Sequence, residues 1–118
     1  MKFVLSVHQP ADIRAIKFAQ AALDAGHEIA LVFFYHDGIQ VADRFTDQGQ
    51  GHQWQQLAEQ HTVPLAVCIG AATRRGLVDE SAPEASERIR EGFEIVGLGQ
   101  YIGALVEADR LITFASES

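Results

Sequence analysis

The sequence predicts an α/β protein: a three-layer α/β/α sandwich in which helices cover both faces of a five-stranded parallel sheet. Short β-rich runs alternate with longer stretches of helical periodicity, as in consecutive βα units, and such units require a parallel sheet covered on both sides. The run IALVFFY from Ile29 to Tyr35 is almost wholly apolar, which is typical of a strand buried on both faces. A chain of 118 residues has room for one domain, so we expect a single domain over 1–118.

The predicted strands and helices alternate in chain order. Five β-rich runs are predicted as strands: Phe3–Val7, Ile29–Tyr35, Leu65–Ile69, Phe93–Val96 and Arg110–Phe114. Helices are predicted from apolar residues at helical spacing: Ile13–Ala25, Trp54–His61, one beginning at Gly70, a polar segment around Glu87–Arg90, and one in which Leu98, Tyr101, Ile102 and Leu105 face the sheet. Loops are predicted at Arg44–His52 and Gly76–Pro83. The pattern leaves strand order open, since flavodoxin-like and other doubly wound orders both fit.

Charge and cysteine content restrict the function classes. Nine basic and sixteen acidic residues give a formal charge of −7; this charge repels phosphate backbones, so we expect no direct binding to nucleic acid. A lone cysteine fits a reducing compartment, and we predict a cytoplasmic location. No stretch is long and apolar enough to span a membrane. The first apolar run stops at His8-Gln9-Pro10 without a cleavage site, so a signal peptide is not expected.

The candidate reactive residue is Cys68, because ligands and reactive groups gather outside the carboxyl ends of parallel strands. Cys68 lies at the end of the third predicted strand, just before Gly70 and Ala71, where a helix is expected to begin. Backbone N–H groups and the helix dipole there would stabilise a thiolate and raise its reactivity. The small residues would leave the sulfur accessible, and Arg74 and Arg75 could add positive potential.

Competing interpretations of these residues stay open from the sequence alone. Cys68 could be a buried structural thiol, because free cysteine is among the most buried residue types. His8 and His36 end the first two strands and could pair with Cys68 as thiolate and imidazolium, or be bystanders. The remaining polar candidates have no ligand spacing or shared cleft, so no metal is expected: His27, His52, His61, Asp79 and Glu80.

Cofactor sites are not expected either. A flavin-binding flavodoxin needs a hydroxyl- and glycine-rich phosphate loop after its first strand, and the loop His8–Asp12 has no glycine, serine or threonine. A phosphoacceptor receiver domain needs an aspartate where this chain has Cys68. The pair Gly97 and Gly99 lacks the third glycine of a dinucleotide-binding loop.

Several segments carry a resemblance to a known family. They are FFYHDG at 33–38, CIGAATRRGLVDE at 68–80, GLGQ at 97–100 and EADRL at 107–111, and the likeness also includes 18–21 and 54–57. In these segments the chain resembles the TusD/DsrE sulfurtransferase family, and the likeness runs from Lys2 to Phe114. A cysteine followed by Arg-Arg-Gly and Val-Asp-Glu at this spacing is its most specific element. The loop His8–Asp12 and the connection from Val41 to Trp54 are shorter than in the family.

The resemblance implies a cytoplasmic subunit with strand order 4-3-2-1-5, in a heterohexamer with TusB- and TusC-type (DsrH- and DsrF-type) chains. Cys68 would accept persulfide sulfur from an upstream carrier and pass it to a TusE/DsrC-like acceptor. Gly70, Ala71, Arg74, Arg75 and His36 are the candidate stabilisers of the thiolate or persulfide. The favoured pathway is wobble 2-thiouridine synthesis in tRNA; a sulfur-oxidation relay and a non-catalytic assembly subunit are the alternatives. A cysteine hydrolase using Cys68 and His36 ranks last.

Overall fold

Five parallel strands form one sheet in the computed structural model, which describes residues 1–10, 12–45, 50–78 and 88–115. In chain order the strands are β1 (Lys2–Val7), β2 (Glu28–Phe34), β3 (Leu65–Cys68), β4 (Phe93–Val96) and β5 (Arg110–Phe114). They lie in the sheet in the order β4-β3-β2-β1-β5, and every neighbouring pair is parallel. The predicted parallel sheet and the order implied by the family resemblance are both confirmed.

Helices lie on both faces of this sheet: α1 (Ile13–Asp24), α2 (Gly51–His61), α3 (Ile69–Arg74) and α4 (Leu98–Glu107). Two consecutive residues of β2 show the layers, because successive side chains of a strand point to opposite faces. Phe33 stacks on Tyr101 of α4, with ring centroids 4.3 Å apart. Phe34 meets Trp54 of α2 edge to face at 5.5 Å. The apolar run of β2 is therefore buried against both helical layers, as its composition predicted.

Local chemistry sets the ends of α1. The Asp12 side chain accepts a hydrogen bond from the Arg14 backbone N–H at 3.1 Å, and the Arg14 guanidinium binds both carboxylate oxygens. These bonds satisfy a free N–H of the first turn and hold the pKa of Asp12 below its ordinary value. At the other end, Gly26 adopts φ +86°, a left-handed conformation that suits glycine and ends the helix.

Three elements differ from the sequence prediction. A 3-10 helix, His36–Ala42, follows β2 where only a strand end was expected. Residues 88–90, predicted as helical, instead lie beside the end of that 3-10 helix, with an antiparallel bridge between Asp43 and Ile89. The strand predicted to include Ile69 ends at Cys68, and α3 starts at once.

The buried face of α4 also differs from the prediction. Leu98 and Ile102, expected to face the sheet, are 55% and 57% exposed, and Tyr101 and Leu105 are half-buried. No residue of α4 is fully buried. Within the described ranges, no helix combines the length and apolar character needed to cross a membrane. The predicted loop residues 46–49 and 79–83, with Asp79, Glu80 and Glu87, lie outside the described residues.

Candidate functional site

Cys68 lies at the junction between a central strand and a helix. It is the last residue of β3, where it pairs with Val96 of β4, and it is also the N-cap of α3 with extended backbone angles of φ −64° and ψ 119°. The junction is sharp because the helix begins at the next residue, Ile69. Cys68 therefore lies at the carboxyl edge of the sheet beside a helix amino end, where the sequence placed it.

The expectation that small residues leave the sulfur accessible is wrong for this conformation. Cys68 is only 5% exposed and belongs to the hydrophobic core. Ala71 and Ala72 are themselves completely buried. Small side chains let α3 lie close to the sheet, and this close approach covers the cysteine instead of opening it.

Gly70 separates the Cys68 sulfur from a cationic side chain. A Cβ placed on Gly70 would lie 3.9 Å from Sγ of Cys68 and 3.4 Å from Nη1 of Arg74. The sulfur and the guanidinium therefore both lie within 4 Å of the position that a Gly70 side chain would occupy. A guanidinium in this position favours an anion near the sulfur, since it is always charged and donates several N–H groups.

Arg75 has a different environment from its neighbour. Its Nε donates to Oδ1 of Asp37 at 2.9 Å, in an ion pair whose side chains are 28% and 53% exposed. Asp37 belongs to the 3-10 helix, so this contact ties that helix to the end of α3. Of the two predicted arginines, Arg74 lies beside Gly70 on the side of the Cys68 sulfur. Arg75 instead forms an ion pair with Asp37 of the 3-10 helix.

The two candidate histidines contact each other. Their rings are 4.9 Å apart, edge to face, and Tyr35 lies against His36 at 4.2 Å. Nε2 of His8 is hydrogen-bonded to Oγ of Ser6 at 3.0 Å. Desolvation, followed by the nearby His36, lowers the pKa of His8 below its ordinary value. Among the hydrogen bonds of the described residues, none joins either imidazole to Cys68, so the geometry gives no support to a thiolate–imidazolium pair.

Gly38 allows the 3-10 helix to pack against the end of β1, a role that was not predicted from the sequence. A Cβ at Gly38 would lie 2.0 Å from the backbone oxygen of Val7, so the 3-10 helix packs directly on the end of β1. The aspartate and glycine of the segment FFYHDG were available as a signal, but only His36 was assigned a role there. No group of three or more His, Cys, Asp or Glu side chains in the described ranges could hold a metal ion.

The protein is of the α/β class, with five parallel strands and its single cysteine at a strand–helix junction. The chain belongs to the DsrE/DsrF-like family, which matches residues 1–114. It is 43% identical to "Putative sulfurtransferase DsrE" of Allochromatium vinosum, covering 97% of this chain and 98% of that protein. It is 39% identical to "Sulfurtransferase TusD homolog" of Pseudomonas aeruginosa, covering 99% of each. These names confirm sulfurtransferase as the predicted enzyme class.

A solved structure supports the fold. The crystal structure of the YchN protein from E. coli matches 97% of this chain and all of that chain, with a TM-score of 0.70 and 21% sequence identity. The alignments to the two curated relatives extend over 129 and 132 residues, more than the 118 residues of this chain. Both relatives therefore contain insertions relative to it, and the positions of the shortened loops stay predictions.

Proposed function

We propose that this protein is a cytoplasmic single-domain sulfur carrier that accepts persulfide sulfur on Cys68 and passes it on, most specifically in the relay for tRNA wobble 2-thiouridine. The observation that carries the proposal is the position of Cys68 at the β3–α3 junction, with Arg74 facing it across Gly70. The names of the two relatives support sulfur transfer as the reaction class.

The chemistry is a pair of thiol–persulfide exchanges. The Cys68 thiolate attacks the terminal sulfur of a donor persulfide; a new S–S bond forms on Cys68, the donor S–S bond breaks, and the donor leaves as a thiolate. An acceptor thiolate then attacks the terminal sulfur on Cys68, which leaves as a thiolate in turn. Each step exchanges one S–S bond for another, so no cofactor, oxidant or reductant is consumed.

Gly70 and Arg74 suit the loaded state. The added sulfur lies about 2.05 Å beyond Sγ, and the missing side chain at Gly70 leaves space beside Sγ on the side that the Arg74 guanidinium occupies. A persulfide is anionic when deprotonated, so this cation would stabilise it. Because Cys68 is 5% exposed, transfer also requires α3 to move outward or a partner to open the junction.

The exposed face of α4 supports assembly with related subunits. Leu98, Ile102 and Val106 recur every four residues and therefore lie on one side of the helix, with exposures of 55%, 57% and 81%. A row of apolar side chains of this kind is typical of a protein–protein interface. The heterohexamer with TusB- and TusC-type chains is part of the proposal. Ile102→Glu is expected to weaken that assembly, as measured by size-exclusion chromatography of co-expressed subunits.

The decisive experiment compares the protein with Cys68→Ser. The purified proteins are incubated with inorganic polysulfide as donor, and intact mass is measured under non-reducing conditions. The wild type is expected to gain the mass of one sulfur, removed again by dithiothreitol, and Cys68→Ser is expected to gain none although its circular dichroism is unchanged. Equal sulfur uptake by the variant would reject Cys68 as the carrier.

A non-catalytic assembly subunit is the second candidate function. The burial of Cys68 and the exposed apolar row of α4 favour it. A cell lacking this protein is complemented with wild type or Cys68→Ser, and 2-thiouridine in its tRNA is measured by mass spectrometry. Restoration by wild type alone supports the carrier in tRNA thiolation, and restoration by both supports the assembly subunit. An unchanged amount of 2-thiouridine in the cell that lacks this protein would reject the role in tRNA thiolation and favour a relay for sulfur oxidation.

A further inference from the structure

A cationic aromatic patch follows the 3-10 helix His36–Ala42. We call Arg44, Phe45 and Arg88 the arginine–phenylalanine patch. Phe45 is 62% exposed and is the only aromatic residue among the exposed large hydrophobic side chains of the described ranges. The guanidinium carbons of Arg44 and Arg88 lie 4.9 Å and 5.6 Å from the centre of its ring. Both distances are within the range of cation–π contacts.

The patch is held in place from beneath by Asp43. This carboxylate is 5% exposed; Oδ2 accepts from Nη2 of Arg88 at 2.9 Å, and Oδ1 accepts from the backbone N–H of Phe45 at 3.0 Å. A buried carboxylate needs such partners. One side chain therefore fixes both the backbone at the aromatic residue and one of the two cations.

Backbone hydrogen bonds join the two segments that carry the patch. The Arg44 N–H donates to the Arg88 carbonyl at 2.8 Å, and the Arg90 N–H donates to the Ala42 carbonyl at 2.7 Å. These bonds flank the antiparallel bridge between Asp43 and Ile89. The cations and the ring are therefore positioned before any ligand arrives, which reduces the entropic cost of binding.

The charge balance of the patch favours an anion. Asp43 neutralises Arg88, and no ion pair to Arg44 is found in the described part of the chain. Among the described residues the patch therefore holds two guanidinium groups and one carboxylate, an excess of one positive charge, on a protein whose net charge is −7. Phe45 adds an apolar surface next to this charge. A matching ligand carries carboxylates for the guanidinium groups and an apolar side chain for the ring.

We propose that the arginine–phenylalanine patch binds an acidic segment of a protein partner, one with an apolar side chain among its carboxylates. A short acidic segment uses the local positive charge within a Debye length of about 8 Å. A nucleic acid extends its phosphates over the acidic remainder of the surface and is repelled there. None of the contacts that define this patch involves Cys68.

The test uses NMR of the isotopically labelled full chain and a synthetic acidic peptide. The probe is a capped peptide with a central phenylalanine and two glutamates on each side; glutamine replaces glutamate in the control peptide. The acidic peptide is expected to shift the backbone amide signals of Arg44, Phe45 and Arg88 in a saturable way. Added salt is expected to weaken the binding, and the glutamine peptide is expected to have no effect.

Two exposed variants and a matched control complete the test. Arg44→Gln is expected to weaken peptide binding about tenfold and Phe45→Ala about fivefold. Lys17→Gln removes one positive charge from an exposed position on α1 and is expected to leave binding unchanged. Equal weakening by Arg44→Gln and Lys17→Gln, absence of saturable shifts at the patch, or tighter binding of a short RNA oligonucleotide than of the peptide would overturn the proposal.

Discussion

Substitution of Gly38 by alanine tests how tightly the 3-10 helix is fixed to β1. The added Cβ would lie 2.0 Å from the backbone oxygen of Val7 and 2.8 Å from its carbonyl carbon. Close carbon–oxygen contacts are about 3.3 Å or longer, so the 3-10 helix or the end of β1 must shift by about 1.3 Å to relieve the 2.0 Å contact. The clashing atoms belong to the backbone of a central strand and cannot rotate away.

The expected loss of stability follows from this overlap. Overpacking costs about 1–3 kcal/mol, and we expect about 3 kcal/mol because backbone has to move. An unfolding entropy of about 2.1 cal/mol/K per residue over 118 residues gives about 0.25 kcal/mol per kelvin. Gly38→Ala is therefore expected to lower Tm by about 12 °C. The rate of sulfur loading is expected to fall as well, since this helix contacts α3 and β3.

Chemical and thermal unfolding measure the effect, with two probes in the same sample. Far-ultraviolet circular dichroism reports the helices, and fluorescence reports Trp54, the only tryptophan, which is 1% exposed. The matched control is Gly103→Ala in the interior of α4, where a Cβ would meet nothing within 4 Å; it is expected to stabilise by about 0.5–1 kcal/mol. A Gly38→Ala protein as stable as wild type would refute the close approach to β1.

Two further outcomes are expected. Gly70→Ala should fold with near-normal stability, because its Cβ makes only ordinary contacts, but should slow persulfide formation at Cys68, measured by mass spectrometry over time; an unchanged rate would contradict the role given to that space. The lowered pKa of His8 means that the unfolded chain binds a proton more readily than the folded one, so the stability from neutral His8 is present above about pH 6.5 and is lost as pH falls through the folded-state pKa. The free energy of unfolding measured in urea should therefore fall less on acidification in His8→Gln than in the wild type. Equal dependence of this free energy on pH in the two proteins would count against this linkage.

The strands and their direction could be predicted because each is a short β-rich run followed by a helical pattern. The errors occurred where tertiary contacts decide the structure. Residues 88–90 have a weak helical pattern, but their backbone forms hydrogen bonds with residues 42–44, more than forty residues earlier in the chain. A local sequence pattern cannot predict so distant a partner. In α4, apolar residues occupy more than one side of the helix, and periodicity alone does not say which side faces the sheet.

Part of the candidate site could be predicted for a geometric reason. Parallel strands end at one edge, so Cys68 had to lie there with the segments that follow β1 and β2. The different environments of Arg74 and Arg75 could not be predicted, because only the fold brings Asp37 to one of them. The burial of Cys68 could not be predicted either, since small neighbouring residues allow a helix to approach as readily as they allow a ligand to enter.

The place of β1 between β2 and β5 has a consequence for synthesis of the chain. Phe3 pairs with Arg110 and Val7 with Phe114, so on the ribosome β1 is made before the strand that covers this edge. Until β5 emerges, the nascent chain exposes one open backbone edge of β1, which is a template for association with other chains. Premature termination before Arg110 would leave that edge permanently open, and truncated products are expected to aggregate.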